Sequence, residues 1–268
     1  MAAVRDLDGD AVRQLLARTI RTAGVDHTVT QVMVPALRQI GDAWASGELS
    51  VMHEHFASNT FRGVLGHVRA RSPGHARVVV LACPPDELHD LPLELFGALL
   101  RARGWRVVTL GANTPLAAIQ DAVRLLHADA CVLASVRPRT FESLALTLAE
   151  LAATTKIPVF LAGQGAIRLS SAPHGTTILL GDMRRAAELV HALADGLRVV
   201  APLPVGDGDV GSHLESGGFE DHLHEVLVHA DRGRKHTGTH VAGVGEFQEA
   251  LDGAVLAERA VQHREDDV

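Results

Sequence analysis

Two short stretches hold residues able to do chemistry. In "SVMHEHFASN", residues 50–59, His53, Glu54 and His55 stand side by side. Imidazole is a nitrogen donor to transition metals and a proton carrier near neutral pH, and a carboxylate can orient it. Ser50 reads as the N-cap of a helix, and neighbours on a helix point about 100° apart, so the three cannot converge on one ion. One histidine is expected to face inward alone. In "CPPDELHDLP", residues 83–92, Glu87 and His89 lie between an apolar strand and a helix with Pro92 in its first turn. A histidine in such a loop can reach a ligand without disturbing the core; it reads equally well as a surface imidazole beside a solvated acidic neighbour.

The elements that must position these residues follow from hydrophobic rhythm. Asp8 or Asp10 caps a helix with apolar Val12, Leu15, Leu16 and Ile20, and Gly24 ends it. A second helix runs from about Thr28, with Val29, Met33, Leu37, Ile40 and Trp44 on one stripe and Pro35 as a source of bending. A third runs from Val51 to Arg69, with Met52, His55, Phe56, Asn59 and Gly63 on neighbouring faces. From residue 77, the apolar runs "RVVVLAC", "WRVVTLG", "ACVLAS", "PVFLAG" and "TTILLG" alternate with amphipathic segments. Five strands separated by helices predict a parallel, doubly wound α/β sheet of the Rossmann or flavodoxin-like kind behind an N-terminal helical bundle. The divisions read as residues 1–74 for the bundle, 75–198 for the sheet domain, and 199–268 for a Pro- and Gly-rich linker with a polar, flexible tail.

Composition narrows the function. The chain has 268 residues, 47% of them hydrophobic, and a net charge of −7 without a basic block, so no direct nucleic-acid binding is expected. The acidic start and the lack of a long apolar run predict a cytoplasmic protein with no membrane contact. Cys83 and Cys131 sit in strand-like runs and read as reduced core thiols, and Trp105 reads as core. Asn113 reads as a turn residue, and the histidines of the tail (His213, His222, His224, His229, His236 and His240) lack metal-site spacing.

Glu87, His89 and Pro92 form E-x-H-x-x-P, one residue away from the E/D-x-H-x-x-G pattern of cobalamin-binding domains, which this region resembles. Ser135, at the end of "CVLAS", and Gly163, at the end of "PVFLAG", fall where that family carries its S-x-L and G-G anchors. In the bundle, Trp44, Glu54 and His55 reproduce W-x9-E-H, which resembles the light-sensing cobalamin proteins of the CarH type. The two resemblances together span residues 1 to about 198.

The resemblance implies a cofactor and roles. Cobalamin would take His89 as its lower axial ligand, with Glu87 supporting the imidazole and the nucleotide tail passing Ser135 and Gly163. Trp44 would wall the adenosyl group of adenosylcobalamin and Glu54 would accept from its ribose. After light removes that group, His55 would coordinate cobalt from above, leaving hydroxo- or bis-histidine cobalamin, while His53 stays a solvent-facing bystander. The implied output is a change of shape or of self-association, or contact with a separate regulator or enzyme, rather than catalysis.

The sequence departs from that pattern at Pro92, in place of glycine, and at Arg137, in place of the leucine of S-x-L. Arg137 and Arg139 are candidates for a cofactor phosphate or for a solvated loop. CarH-type regulators carry a winged-helix domain of the MerR class, whereas here the bundle begins within the first dozen residues, so repression by that direct route is not expected. The competing readings are a corrinoid methyl carrier of a methyltransferase system and a cobalamin-binding subunit of an enzyme. An enclosed or an open upper face, set by Trp44, Glu54 and His55, separates them.

Overall fold

Asp8 starts the first long helix by accepting from the Ala11 N–H at 2.9 Å. A computed structural model describes residues 1–68 and 76–194. After a single turn α1 (Ala2–Arg5), α2 spans Gly9–His27 with Val12 and Leu16 buried. Leu15, expected on the same stripe, is 47% exposed, because it lies a third of a turn from Leu16 and the buried face of α2 is narrow. Gly24 adopts φ +86°, which breaks regular helix geometry where the sequence predicts an end. The chain then makes a π-helical turn, Thr28–Met33, before α3 (Val34–Ala45). Pro35 stands in the first turn of α3, where its missing N–H costs least, and the predicted bend takes the form of that wider turn. The last bundle helix is α4 (Val51–Leu65), which stops at Gly66, short of the Arg69 expected.

The sheet is built from β1 (Val78–Ala82), β2 (Arg106–Gly111), β3 (Ala130–Ala134), β4 (Val159–Ala162) and β5 (Thr176–Ile178). All neighbours pair in parallel, in the order β2-β1-β3-β4-β5. The helices between them are α5 (Leu91–Ala102), α6 (Leu116–Leu126), α7 (Thr140–Ser143), α8 (Ala145–Thr155), α9 (Gln164–Ile167) and α10 (Met183–Ala194). The architecture is the five-stranded parallel α/β sheet with an N-terminal helical region that the alternating rhythm predicts.

Strand side chains alternate between two cores. Val79, Leu81, Ala130 and Val132 join one with α5, α10 and the bundle's Met33, Leu37 and Phe61; Val80, Cys131 and Leu133 join another with residues of α6 and α8. The bundle therefore continues the core on one face of the sheet. Trp105 is buried just before β2, and both cysteines are buried, with burial pushing the Cys131 thiol up to about 12. The linker, the tail and its histidines lie outside the described residues.

The order places the switch point between β1 and β3, whose following loops diverge to opposite sides and open a crevice at the strands' carboxyl ends. Leu81 is fully buried in the central strand facing α5, so Leu81→Ala should lower unfolding free energy by about 2–5 kcal/mol in urea titrations.

Candidate functional site

The loop after β1 is held from both sides. Cys83 donates its N–H to the Gly111 carbonyl at 2.9 Å and accepts from the Thr114 N–H at 2.9 Å. Asn113, a turn residue with φ +49°, donates its N–H to the Glu87 carbonyl at 2.8 Å and accepts from the Asp86 N–H at 3.0 Å. From the β3 side, the Arg137 guanidinium donates to the Asp86 carbonyl at 2.7 Å. That contact ties Arg137 to the loop; the Arg139 side chain is exposed.

This scaffold buries the carboxylate of Glu87 completely. Its Oε1 accepts from the His89 N–H at 3.0 Å and from His89 Nδ1. Its Oε2 accepts from the Ser135 hydroxyl at 2.7 Å, the Val136 N–H at 2.7 Å and the Arg137 N–H at 3.2 Å. Burial alone raises the Glu87 pKa, but the hydrogen bonds from His89 and Ser135 outweigh it and hold the carboxyl at about 2. An ionised acceptor at Nδ1 makes that nitrogen the protonated one, so the lone pair of His89 sits on Nε2. An imidazole oriented in this way through its other nitrogen is the usual arrangement of a metal-binding histidine. The Ser135 hydroxyl, expected to serve a bound base, is directed at Glu87.

Gly163 closes β4 with φ +87° and caps α9. The tight approach lies two residues on: a Cβ at Gly165 would come within 2.8 Å of the Arg137 carbonyl and 3.3 Å of Ser135 Cβ. Gly165 is thus a residue that sequence reasoning passed over, although "GQGA" contained the signal. Pro92 is buried in the first turn of α5.

In the bundle, the three adjacent residues have three different roles. His53 Nδ1 accepts from the Ser50 N–H at 3.1 Å in a capping box that starts α4, a local role the sequence reading missed. Glu54 is mostly buried and accepts from the Ser58 hydroxyl through Oε1, while its Oε2 meets His55 Nδ1 at 2.7 Å. The His55 side chain is 64% exposed. Trp44 is half-buried at the end of α3, packed on the core that continues under α5.

The donor set fits a corrin cobalt, which needs one axial nitrogen from below, a cradle of small residues for a tail, and a cover above. His89, the Gly163 to Gly165 turn and the bundle residues can provide these. The depressed Glu87 pKa gives a stability contribution that is present above the unfolded value of 4.5 and is lost as pH falls toward about 2. Between those limits, wild type should lose on the order of 3 kcal/mol that Glu87→Gln does not lose, measured by denaturant titrations at stepped pH.

Comparison with known proteins agrees with this geometry. Residues 1–69 match the family described as the B12 binding domain. The chain is 36% identical over 168 residues to the HTH-type transcriptional repressor CarA of Myxococcus xanthus, across 62% of this chain and 57% of CarA. It is 33% identical over 171 residues to the HTH-type transcriptional repressor CarH of the same organism, across 62% of this chain and 56% of CarH. The match spans little more than half the length of these relatives. Among solved structures, the monomethylamine corrinoid protein of Methanosarcina barkeri superposes with a TM-score of 0.51 at 13% identity, over 72% of this chain and 95% of that one, a likeness of fold. Through residues 1–69 the chain belongs to the B12 binding domain family, and it is a relative of the CarA and CarH repressors.

Proposed function

We propose that this protein is a cobalamin-binding light sensor with a regulatory output. The observation that carries the reading is the buried Glu87 clamp, which fixes one tautomer of His89 at the carboxyl ends of β1 and β3. Similarity to two transcriptional repressors and to the B12 binding domain supports cofactor and output together.

In this reading His89 is the lower axial donor to cobalt, through Nε2. Glu87 keeps that nitrogen basic and Ser135 keeps Glu87 in place. The turn from Gly163 to Gly165 leaves room for the nucleotide tail beside the sheet. When bound, adenosylcobalamin supplies a cobalt–carbon bond that visible light breaks. Trp44 offers the apolar wall for the adenosyl group and Glu54 the acceptor for its hydroxyls. His55 is the upper donor of the illuminated state, and its hydrogen bond to Glu54 gives it a place to rest in the dark. Exchange of partners at Glu54 and His55 biases the position of α4, and with it the surface offered to a second copy or to a separate regulator. The sites would lie in the bundle, residues 1–74, and the sheet domain, residues 75–198.

Loading the protein with adenosylcobalamin in darkness and then applying green light should change both the absorption spectrum and the gel-filtration volume. His89→Ala should abolish the base-off, histidine-on spectrum in the dark, and Glu87→Ala should weaken binding by about 10- to 100-fold. His55→Ala should alter the illuminated spectrum while leaving the dark one intact. A spectrum indifferent to light would sink the sensor reading, and methyl exchange with a solvent-open cofactor would favour a methyl carrier instead.

A further inference from the structure

Helix α5 is tied to the bundle at both ends. At its far end, Arg103 makes a two-pronged contact with Asp26, at 2.9 Å and 2.7 Å, in the irregular stretch between α2 and α3. At its near end, Arg62 of α4 donates to Asp90, the residue that follows His89. Asp90 is the N-cap of α5, where an aspartate ordinarily accepts from a first-turn N–H. Its side chain makes no capping hydrogen bond, and its carboxylate reaches to Arg62 instead. Helix formation at that position therefore does not account for the aspartate. Arg62 in turn lies one helical turn beyond Ser58 and two beyond Glu54, on the same side of α4, with Ser58 holding Glu54.

We propose that Arg62 is a positioning residue for His89: by holding Asp90, it sets the loop from Glu87 to Asp90 against α4 and makes the placement of the imidazole depend on where α4 lies. The part concerning cobalt rests on His89 being its lower ligand; the part concerning the loop does not. The row Glu54, Ser58, Arg62 makes α4 the physical connection between the residues assigned above the ring and the loop assigned below it. A shift of α4 that frees His55 pulls on Asp90, so the lower side registers the change on the upper side.

The test uses the full chain, first without cofactor. Amide hydrogen exchange at Glu87, His89 and Asp90 should quicken by about fivefold in Arg62→Ala and in Asp90→Asn, the scale a part-exposed ion pair can carry, while amides of β3 stay unchanged. Arg103→Ala removes a comparable tie remote from the loop and should leave these three amides as in wild type. Exchanging the partners, Arg62→Asp with Asp90→Arg, should restore slow exchange; this is the decisive variant if Arg62→Ala fails to fold. With aquocobalamin added, the histidine-on fraction should fall in Arg62→Ala and recover in the exchanged pair. Unchanged loop exchange in Arg62→Ala overturns the proposal, as does an equal effect from Arg103→Ala, which would mean general loosening of the bundle. If the loop responds to Arg62 but His89→Ala binds cobalamin as wild type does, the ligand assignment falls and Arg62 stands as the residue that orders the loop.

Discussion

A carboxylate taken fully out of water costs several kcal/mol unless hydrogen-bond donors replace its hydration, and Glu87 receives five, from His89 and from the chain that leaves β3. Two of those donors exist only because β3 lies beside β1; they are backbone N–H groups of Val136 and Arg137. The strand order that separates β1 from β2's helix connection and brings in β3 is thus a condition for the charge to be buried at all. Once it is buried, the two loops cannot part without stranding it. The imidazole of His89 inherits that rigidity, since it is one of the donors.

The bundle is coupled to this clamp by packing as well as by charge. Bundle residues such as Met33, Leu37 and Phe61 share a continuous core with the α5 side of the sheet. Glu54 and His55, by contrast, meet each other at a half-exposed edge of α4, where exchanging one hydrogen-bond partner for another exposes little new apolar surface. The lower group is therefore built to stay and the upper group to change. This asymmetry fits a device that holds a cofactor on one side and reads its state on the other.

Much of the fold was legible in the sequence because its strongest signals are local. "VVVLA", "ACVLA" and "VFLA" are uninterrupted apolar runs of the kind only a strand covered on both faces tolerates, and they became β1, β3 and β4. The pairing of Glu87 with His89 was within reach at a spacing of two. What stayed hidden was contact across distance or through the backbone. The N–H groups of Val136 and Arg137 have no residue-type mark, and Arg62 and Asp90 are read from unrelated segments. His53 was misjudged for a different reason: the capping box is expected to carry Glu or Gln at its third position, and imidazole there does the same work. Leu15 shows the reverse error, an apolar residue in rhythm that the narrow buried face of α2 leaves in solvent.

The π-helical turn at Thr28–Met33 has a consequence for how this chain can change length. Each residue rotates a helix by about 100°, and a π turn holds one more residue than the α-helical turn it replaces. Everything after it, including the buried Leu37 and Ile40 and the half-buried Trp44, keeps its facing only while that residue remains. Losing one residue there would let the turn relax to regular helix and swing Trp44 away from its present side. Single insertions and deletions between Gly24 and Trp44 are thus excluded more strictly than most substitutions, and descendants of this sequence should vary there in residue type but not in length.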